Sequence, residues 1–415
     1  MTAAVLSIGT EITRGELVNT NARWLAERLT LLGFEVCELV TVDDSIDRIA
    51  ETLTRLAAQH RVIVSTGGLG PTTDDLTTAA AAKALGVGLE RHEPSIEAIR
   101  RRFASFGREM SPSNEKQADF PAGATVLPNP VGTAPGFAIE LGRTRALFLP
   151  GVPSEMSRLF DDHVQPAIAS LAERTTCQVR LRSFGMTESG VGEKLAGLEE
   201  EEPGVTIGYR ASFPEIEVKV LARATTHPEA ESIATRVAEK VRERLGSAVY
   251  GEGEDTFPAY VGRALRDRSL TVAVAESCTG GMIGEMITRV PGSSEYLLLD
   301  AVTYSNGAKQ DLLGVDVELL RHHGAVSGEV ASAMAEGALR RADAHIAVAV
   351  TGIAGPGGGT DAKPVGTVWF ALAQRDAETT SRTMKLFGDR ERIRMLASYV
   401  ALKMIADAAI ATGRV

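Results

Sequence analysis

The chain has 415 residues, of which 44% are hydrophobic and 24% charged, a balance typical of globular proteins with two or three domains. Its net charge of −10 disfavours a dedicated nucleic-acid binder, because neutralising phosphates requires a basic surface. The three cysteines are scattered, which disfavours a disulfide framework. We find no apolar run of membrane-spanning length and no signal-peptide core at the N-terminus, which disfavours a membrane protein. Together these features predict a cytoplasmic location.

Strands and helices alternate through the first part of the chain, about residues 1–170. Apolar runs at 5–8, 34–40 and 61–64 predict strands, and helical patterns follow the first two of them. This alternation predicts a parallel α/β sheet with right-handed crossovers. In such sheets the ligand crevice lies beyond the carboxyl ends of the strands.

The loop after the third predicted strand, residues 65–75, has three glycines, three threonines and two adjacent acids. Bare amides and hydroxyls suit phosphate, and the candidate residues are Gly67, Gly68, Gly70 and Thr72. Asp74 and Asp75 suit a divalent cation that is held partly by substrate phosphates. The alternative is that one of these acids only caps the helix running to Leu85, and we expect one of them to do so.

Two further loops rich in glycine and proline follow at strand ends, residues 128–136 and 150–156. They flank predicted strands at 137–141 and 147–149. Because all three loops lie on one predicted sheet, they form one candidate nucleotide site. The second and third loops contribute Asn129, Gly132, Pro150 and Gly151.

The segments Gly-Gly-Leu-Gly-Pro-Thr-Thr-Asp-Asp, Pro-Asn-Pro-Val-Gly-Thr-Ala-Pro-Gly and Leu-Pro-Gly-Val-Pro-Ser-Glu-Met together resemble the molybdopterin-binding-like domain at the front of CinA (competence/damage-inducible) proteins. The resemblance implies a metal-dependent ADP-ribose pyrophosphatase in some members. The motif does not give the metal ligands, and Asp74 and Asp75 are assigned on chemical grounds. A non-catalytic module that binds a pterin or a nucleotide is the alternative for this half.

The middle part, residues 171–252, has a βαββα order that resembles the KH-like module between the two larger domains of CinA proteins. KH modules that grip RNA use a basic Gly-x-x-Gly loop. The corresponding turn here, residues 189–193, lacks that spacing and has an acid beside it. A structural or dimerising spacer is therefore favoured over an RNA site. The polar, glycine-bearing segment 251–255 predicts a linker.

The last part, residues 253–415, contains an apolar strand at 270–274, a polar turn at 275–281 and then a helical apolar pattern. The first N–H groups of such a helix point outward, and Gly280 and Gly281 let a ligand approach the backbone. Ser277 places a hydroxyl there. From the local pattern alone, a helix capped by Thr279 is an equally good explanation.

Other predicted strand ends in this part add polar groups and glycines, namely Tyr304, Asn306, Lys309, Thr351, Gly352, Gly355 and Arg390. Asn306 is expected to make a turn or cap. Arg390 shares a helix face with Arg394, and either can bind a phosphate or pair with Asp389 or Glu391.

A serine activated by a lysine is the chemistry that these groups allow. No Gly-x-Ser-x-Gly elbow occurs and no histidine lies near a suitable acid in the pattern, which disfavours a Ser-His-Asp hydrolase. A lysine must be neutral to act as a base, and burial or a nearby cation such as Arg390 favours that state by lowering its pKa.

The segments Ala-Glu-Ser-Cys-Thr-Gly-Gly, Thr-Tyr-Ser-Asn-x-x-Lys, Gly-Ala-Val-Ser, Thr-Gly-Ile-Ala-Gly-Pro and Lys-Pro-Val-Gly-Thr-Val resemble the nicotinamide-nucleotide amidase domain that ends CinA proteins. The resemblance implies hydrolysis of nicotinamide mononucleotide to nicotinate mononucleotide and ammonia, with no metal in that step. It makes Ser277 the nucleophile and Lys309 its base. Tyr304 and Thr351 position the substrate, and Arg390 binds it or stabilises the intermediate. Amides from Thr279 to Gly281 serve the oxyanion.

The expected fold class is α/β, with two α/β domains of mainly parallel sheets joined by a small α+β KH-like module. The predicted domains are residues 1–170, 171–252 and 253–415. We expect small nucleotides as partners, a divalent metal for the first domain only, no direct nucleic-acid or membrane binding, and a homodimer. The remaining alternative is an accessory protein in competence or DNA damage, which only the family name suggests.

Overall fold

A six-stranded sheet organises the first part of the computed structural model, which describes residues 1–412. Its strands and helices, in chain order, are β1 (Thr2–Ile8), α1 (Thr10–Thr13), α2 (Thr20–Leu31), β2 (Glu35–Val42), α3 (Ile46–Gln59), β3 (Val62–Thr66), α4 (Thr77–Leu85), β4 (Leu89–Arg91), α5 (Glu93–Ser105), β5 (Asp119–Pro121), β6 (Thr125–Leu127), β7 (Gly136–Leu141), β8 (Thr144–Leu149), α6 (Pro153–Leu159) and α7 (Gln165–Ile168). The sheet order is β2-β1-β3-β8-β7-β6. The first four strands are parallel, and β7 and β6 run antiparallel.

Helices cover both faces of this sheet, so β3 is buried along its whole length and β1 beyond its first residue. On one face, Leu25 and Leu29 of α2 pack with Phe160. On the other, Ile49 and Leu53 of α3 pack with the sheet. The carboxyl ends of β1, β3 and β8 consequently meet at one edge, as the sequence predicted.

The remaining strands and helices are β9 (Thr175–Phe184), α8 (Glu188–Leu195), α9 (Leu198–Glu201), β10 (Val205–Ser212), β11 (Glu215–Ala224), α10 (His227–Leu245), β12 (Val249–Glu252), α11 (Phe257–Arg266), β13 (Val272–Glu276), α12 (Met282–Thr288), β14 (Leu297–Val302), α13 (Asn306–Leu313), α14 (Val317–His323), α15 (Gly328–Ala342), β15 (Ile346–Gly352), β16 (Thr367–Gln374), β17 (Thr380–Lys385) and α16 (Arg390–Thr412). Short 3-10 helices span Pro112–Ala118, Ala169–Leu171, Gly246–Ala248 and Ser293–Glu295, and a π-helical turn spans Phe160–Val164.

Two compact units divide the described chain. The N-terminal unit contains residues 1–178, 202–206 and 221–237, and the C-terminal unit contains 179–201, 207–220 and the chain from 238 onward. The predicted division into three domains stays a prediction.

Two larger sheets are formed by the strands that follow residue 174. One has the order β10-β11-β9-β12, and its strand β12 pairs antiparallel with β9. The predicted linker at 251–255 is therefore partly wrong, because Gly251 and Glu252 belong to β12. The second sheet has the order β14-β13-β15-β16-β17, parallel across its first three strands and antiparallel across the last two. The predicted α/β class with mainly parallel sheets is confirmed.

Helix α16 is the longest helix of the C-terminal unit. By length and composition it is apolar enough to cross a membrane, which corrects the expectation that no such run exists. More than half of it is buried, and Ala401, Leu402 and Ile405 pack in the core beside β15 and α11. This burial is that of a core helix.

Candidate active sites

The turn after β13 places Ser277 at the carboxyl end of a fully buried strand. The Ser277 amide donates to Val350 O of β15 at 2.9 Å, and the Gly280 amide donates to Ser277 O at 3.1 Å. Gly280 and Gly281 have φ values of 61° and 89°, a region in which residues with a side chain are strained. The two glycines therefore allow the tight turn that presents the Ser277 hydroxyl.

Lys309 of α13 reaches the same turn. Its Nζ donates to Ser277 Oγ at 3.1 Å and to Thr303 O at 2.7 Å. Only 1% of Lys309 is exposed, and this burial lowers the pKa of its amine below the ordinary lysine value. The neutral amine that a general base requires is thereby favoured. Ser277 and Lys309, predicted as a pair, are in contact.

Ser305, rather than Asn306, caps the helix that carries Lys309. Its backbone is extended, and its Oγ accepts a hydrogen bond from the Ala308 amide at 3.1 Å. Asn306 is exposed at the first helical position, so the predicted cap is wrong by one residue. The cap fixes Lys309 one helical turn from the strand end.

Arg390 links two of the other predicted residues at the first turn of α16. Its Nη1 donates to Gly355 O at 2.7 Å and its Nη2 to Tyr304 Oη at 3.1 Å. Tyr304 is 63% exposed. Neither neighbouring acid pairs with Arg390 in the described chain, and Asp389 instead accepts from the Arg392 amide. The guanidinium therefore remains available for an anionic group.

Thr351 and Gly352 serve the packing of the site. The buried Thr351 hydroxyl donates to Ala325 O at 2.7 Å, so it holds the preceding loop. A side chain at Gly352 would lie 2.8 Å from Val368, because β16 crosses there. Thr351 and Gly352 directly follow Val350, whose carbonyl oxygen accepts the Ser277 amide. They therefore help to position the strand β15 beside Ser277.

Two of the amides predicted to serve an oxyanion are already engaged. The Gly280 amide donates to Ser277 O, and the Gly281 amide donates to Glu276 Oε2 at 2.9 Å. Within the described residues, the Thr279 amide has no acceptor, and the Cys278 amide faces its own thiol. Of the three amides predicted for the oxyanion, only that of Thr279 is therefore free in the described chain, and the Cys278 amide lies beside it.

Thr279 does not cap the helix. Helix α12 begins at Met282, and Gly281 occupies the cap position. The Thr279 Oγ1 is buried without a partner in the described chain, and Thr279 O accepts from Arg394 Nη2 at 2.6 Å. Arg394 thus fixes the turn from α16. The sequence placed Arg394 only on the same helix face as Arg390. That shared face is the feature from which a role for Arg394 at the site could have been predicted.

Cys278 lies directly after Ser277 in the turn. Burial raises the pKa of the Cys278 thiol to about 12. In the native full-length chain at pH 7.5, iodoacetamide is expected to modify the exposed Cys37 at least about tenfold faster than Cys278. Peptide mass spectrometry measures both rates, and a denatured sample is the control. Equal rates at the two cysteines would contradict a buried, unreactive thiol.

The N-terminal unit contains a crevice of about 560 Å³ where the strands end. The predicted residues that line it are Gly67, Gly68, Gly70, Asp74, Asp75, Pro150 and Gly151. Gly67 has a φ of 104°, and a Cβ there would lie 2.1 Å from Ile8 O. Only glycine can bring the backbone so close to β1, and the amides that follow border the crevice.

Asp74 and Asp75 are held by Thr72. The Thr72 amide and hydroxyl donate to Asp75 Oδ2 at 2.8 and 2.6 Å, and the hydroxyl also contacts Asp74. The hydrogen bond from Thr72 holds the pKa of Asp74 below its usual range. Helix α4 begins at Thr77 and neither acid caps it, so that expectation is wrong. Lys116, which sequence reasoning missed, binds the carbonyls of this turn.

Thr72, Asn129 and Gly132 do not line the crevice. Asn129 Nδ2 donates to Glu155 Oε2 at 2.7 Å, and its Oδ1 accepts from the Gly132 amide at 2.9 Å. Asn129 therefore braces its own loop against Glu155. Thr72 and Asn129 thus hold acids that line the crevice, and the predicted direct role of all three residues in nucleotide binding stays a prediction.

The crevice is acidic. Its ionisable lining side chains are Glu11, Asp44, Asp74, Asp75 and Glu155, with no lysine or arginine among the described lining residues. A phosphate ligand would be repelled unless a cation accompanied it. In residues 1–412, no three metal-ligating side chains lie close enough together to hold an ion by themselves. The site fits a divalent cation that takes one or two carboxylates and completes its shell with phosphate oxygens.

Comparisons with known proteins match three successive segments of the chain and nearly its whole length. Family models match at residues 4–170 ("Probable molybdopterin binding domain"), 178–251 ("Damage-inducible protein CinA KH domain") and 254–409 ("CinA C-terminal domain"). A CinA-like protein from Geobacter sulfurreducens is 45% identical over 404 residues, covering 97% of this chain and 98% of that protein. One from Anaeromyxobacter dehalogenans is 44% identical over 408 residues, covering 98% and 99%. The crystal structure of competence/damage inducible protein CihA from Agrobacterium tumefaciens is 44% identical, covering 37% of this chain and 94% of that chain, with a TM-score of 0.35.

Proposed function

This chain belongs to the CinA family, and from that premise we propose that its C-terminal half hydrolyses the carboxamide of nicotinamide mononucleotide to nicotinate mononucleotide and ammonia. The observation that carries this proposal is the buried contact of 3.1 Å between Ser277 Oγ and Lys309 Nζ. A hydroxyl that meets a desolvated amine at a strand end is the arrangement of an activated serine nucleophile.

In the proposed reaction, Ser277 Oγ attacks the carboxamide carbon while Lys309 Nζ takes the hydroxyl proton. The oxygen anion that forms would accept a hydrogen bond from the free amide of Thr279 and a second one from the neighbouring amide of Cys278. Lys309 then gives its proton to the leaving nitrogen, the C–N bond breaks, and ammonia departs. Water then attacks the carbonyl carbon of the resulting ester while Lys309 takes one of its protons. Lys309 passes that proton to Ser277 Oγ as the C–Oγ bond breaks, and nicotinate mononucleotide leaves. Thr303 O, which accepts from Lys309 Nζ, orients the amine throughout.

Replacing Arg390 with alanine is expected to raise the KM for nicotinamide mononucleotide by about 10- to 100-fold, because a charge-assisted hydrogen bond to the phosphate is lost. Nicotinamide riboside, which lacks the phosphate, should show no such change. Arg392→Ala, two positions further along the same helix, is the matched control. Steady-state kinetics give both constants, and a lower kcat with an unchanged KM would place Arg390 at the intermediate instead.

For the N-terminal half we propose metal-dependent hydrolysis of the pyrophosphate of ADP-ribose. The support is a crevice that combines glycine amides suited to phosphate with five carboxylates and no lysine or arginine in its described lining. Asp74 and Asp75 would hold the cation, and the bound metal would neutralise the pyrophosphate and activate water. Thr72 and Lys116 keep the acidic turn in place. A cytoplasmic location and a homodimer remain part of this proposal.

A further inference from the structure

A buried glutamate lies directly before the nucleophile. Glu276 is 0% exposed, and its Oε1 and Oε2 accept the amides of Gly284 and Gly281, each at 2.9 Å. The carboxylate thus ties the first turn of α12 to the end of β13. Both bonds are charge-assisted and strongest while Glu276 is negative.

A second carboxyl group lies against the first. Asp300 of β14 is in register with Val274 of β13 and lies on the side of the sheet where α12 packs. A Cβ on Gly284 would lie 1.9 Å from Asp300 Oδ2, so the helix backbone presses on this carboxyl. Asp300 Oδ1 is shut off from solvent and, as a carboxylate, has no donor in the described chain. Burial, and then the charge and hydrogen bonding of Glu276, raise the pKa of Asp300 to about 7.

The charged groups on the surrounding elements are engaged elsewhere. Glu285 of α12 pairs with Arg289 of the same helix. Arg394 of α16 binds Thr279 O, and Arg266 of α11 lies over the ring of Tyr296. None of these arginines forms an ion pair with Glu276 or Asp300 in the described residues. A proton is therefore the group that can relieve the repulsion between the buried Glu276 and the half-buried Asp300.

We propose that Asp300 keeps a proton which it donates to the Glu276 carboxylate, and that this acid pair positions the turn carrying Ser277. Protonated Asp300 then donates a hydrogen bond, so its oxygen is no longer without a partner. Glu276 continues to accept the amides of Gly281 and Gly284. Both are positioning residues. Their effect on catalysis rests on the proposed amidase function, whereas their effect on the turn does not.

The sign of the pH dependence follows from the raised pKa of Asp300. The proton stabilises the closed turn fully below the ordinary value of 3.8, and this contribution is lost as pH rises toward and through about 7. In the opened turn Asp300 ionises freely. Opening should therefore become about tenfold more favourable per pH unit between pH 5 and 7, and level off above that.

Cys278 provides a local probe, because it lies in the turn and is buried. We would measure its reaction with 4,4′-dithiodipyridine in the native full-length chain from pH 5 to 8, by peptide mass spectrometry. The rate in wild type divided by that in Asp300→Asn cancels the intrinsic thiol chemistry. The ratio is expected to rise about tenfold per pH unit up to pH 7. A ratio independent of pH would overturn the proposal.

Two further variants make the outcome specific. Glu285→Gln removes an exposed carboxyl next to Gly284 and should keep the wild-type pH dependence. Glu276→Gln removes the partner of Asp300 and should weaken this pH dependence, leaving only the part that comes from burial of Asp300, which provides a second test if Asp300→Asn does not fold. Ammonia release is measured on the same samples. If it is absent while the thiol result holds, the amidase proposal fails and the acid pair stands.

Discussion

Replacing Ser277 with alanine is expected to reduce ammonia release from nicotinamide mononucleotide by about 10⁴-fold or more, and Lys309→Ala by about 10²- to 10⁴-fold. Ser277 supplies the oxygen that forms the bond to the carboxamide carbon. Lys309 is the amine in contact with that oxygen, and its removal leaves no base there. Because the two act as a unit, the double variant should be hardly slower than Ser277→Ala alone.

Lys309→Arg separates a base from a fixed positive charge. A guanidinium stays protonated, so this variant should lose about as much kcat as Lys309→Ala. Lys403→Ala, which removes a half-buried lysine paired with Asp407, is the matched control. In wild type, kcat should rise with pH as Lys309 loses its proton, with a midpoint below the ordinary lysine pKa of 10.5 because burial lowers that pKa. A fully active Lys309→Arg would show that Lys309 is not the base.

The second large effect is expected in the N-terminal crevice. Asp74→Asn combined with Asp75→Asn should lower metal-dependent formation of AMP from ADP-ribose by about 10²- to 10³-fold. The two carboxylates are the predicted metal ligands, and without the cation the remaining acids repel the pyrophosphate. Chromatography of AMP with and without added divalent metal measures the effect.

Asp47→Asn is the matched control for this experiment. Asp47 is an exposed acid of the same unit that pairs with Lys83, and it does not line the crevice. Circular dichroism checks that each variant is folded. If wild type binds ADP-ribose tightly yet forms no AMP with any divalent metal, the N-terminal half is a binding module, and the proposed pyrophosphatase is wrong.

The contact between Ser277 and Lys309 illustrates what sequence could predict. Both residues follow predicted strands of one sheet, and the carboxyl ends of parallel strands meet at one edge. The internal bonds of the turn could not be predicted in the same way. They depend on where α12 begins, and it begins at Met282 instead of after a Thr279 cap. Because of that shift, the Gly281 amide donates to the Glu276 side chain. The sequence pattern indicates only that Glu276 ends a strand.

The N-terminal crevice shows the same limit. Its glycines follow from the composition of the loop after β3. The charge of the crevice does not follow from that loop, because Asp44 comes after strand β2 and Glu155 lies in α6, both at other places in the sequence. The acids at 74 and 75 also turn toward Thr72 instead of capping α4, because that helix starts only at Thr77. Side-chain partners of this kind are decided by packing between distant elements.

The most direct measurement is product analysis of nicotinamide mononucleotide incubated with the full-length chain in the presence of a metal chelator. Ammonia and nicotinate mononucleotide should form in equal amounts, and Ser277→Ala should abolish both. The central claim would be contradicted if wild type released no nicotinate mononucleotide, or if Ser277→Ala and Lys309→Ala both left the rate unchanged.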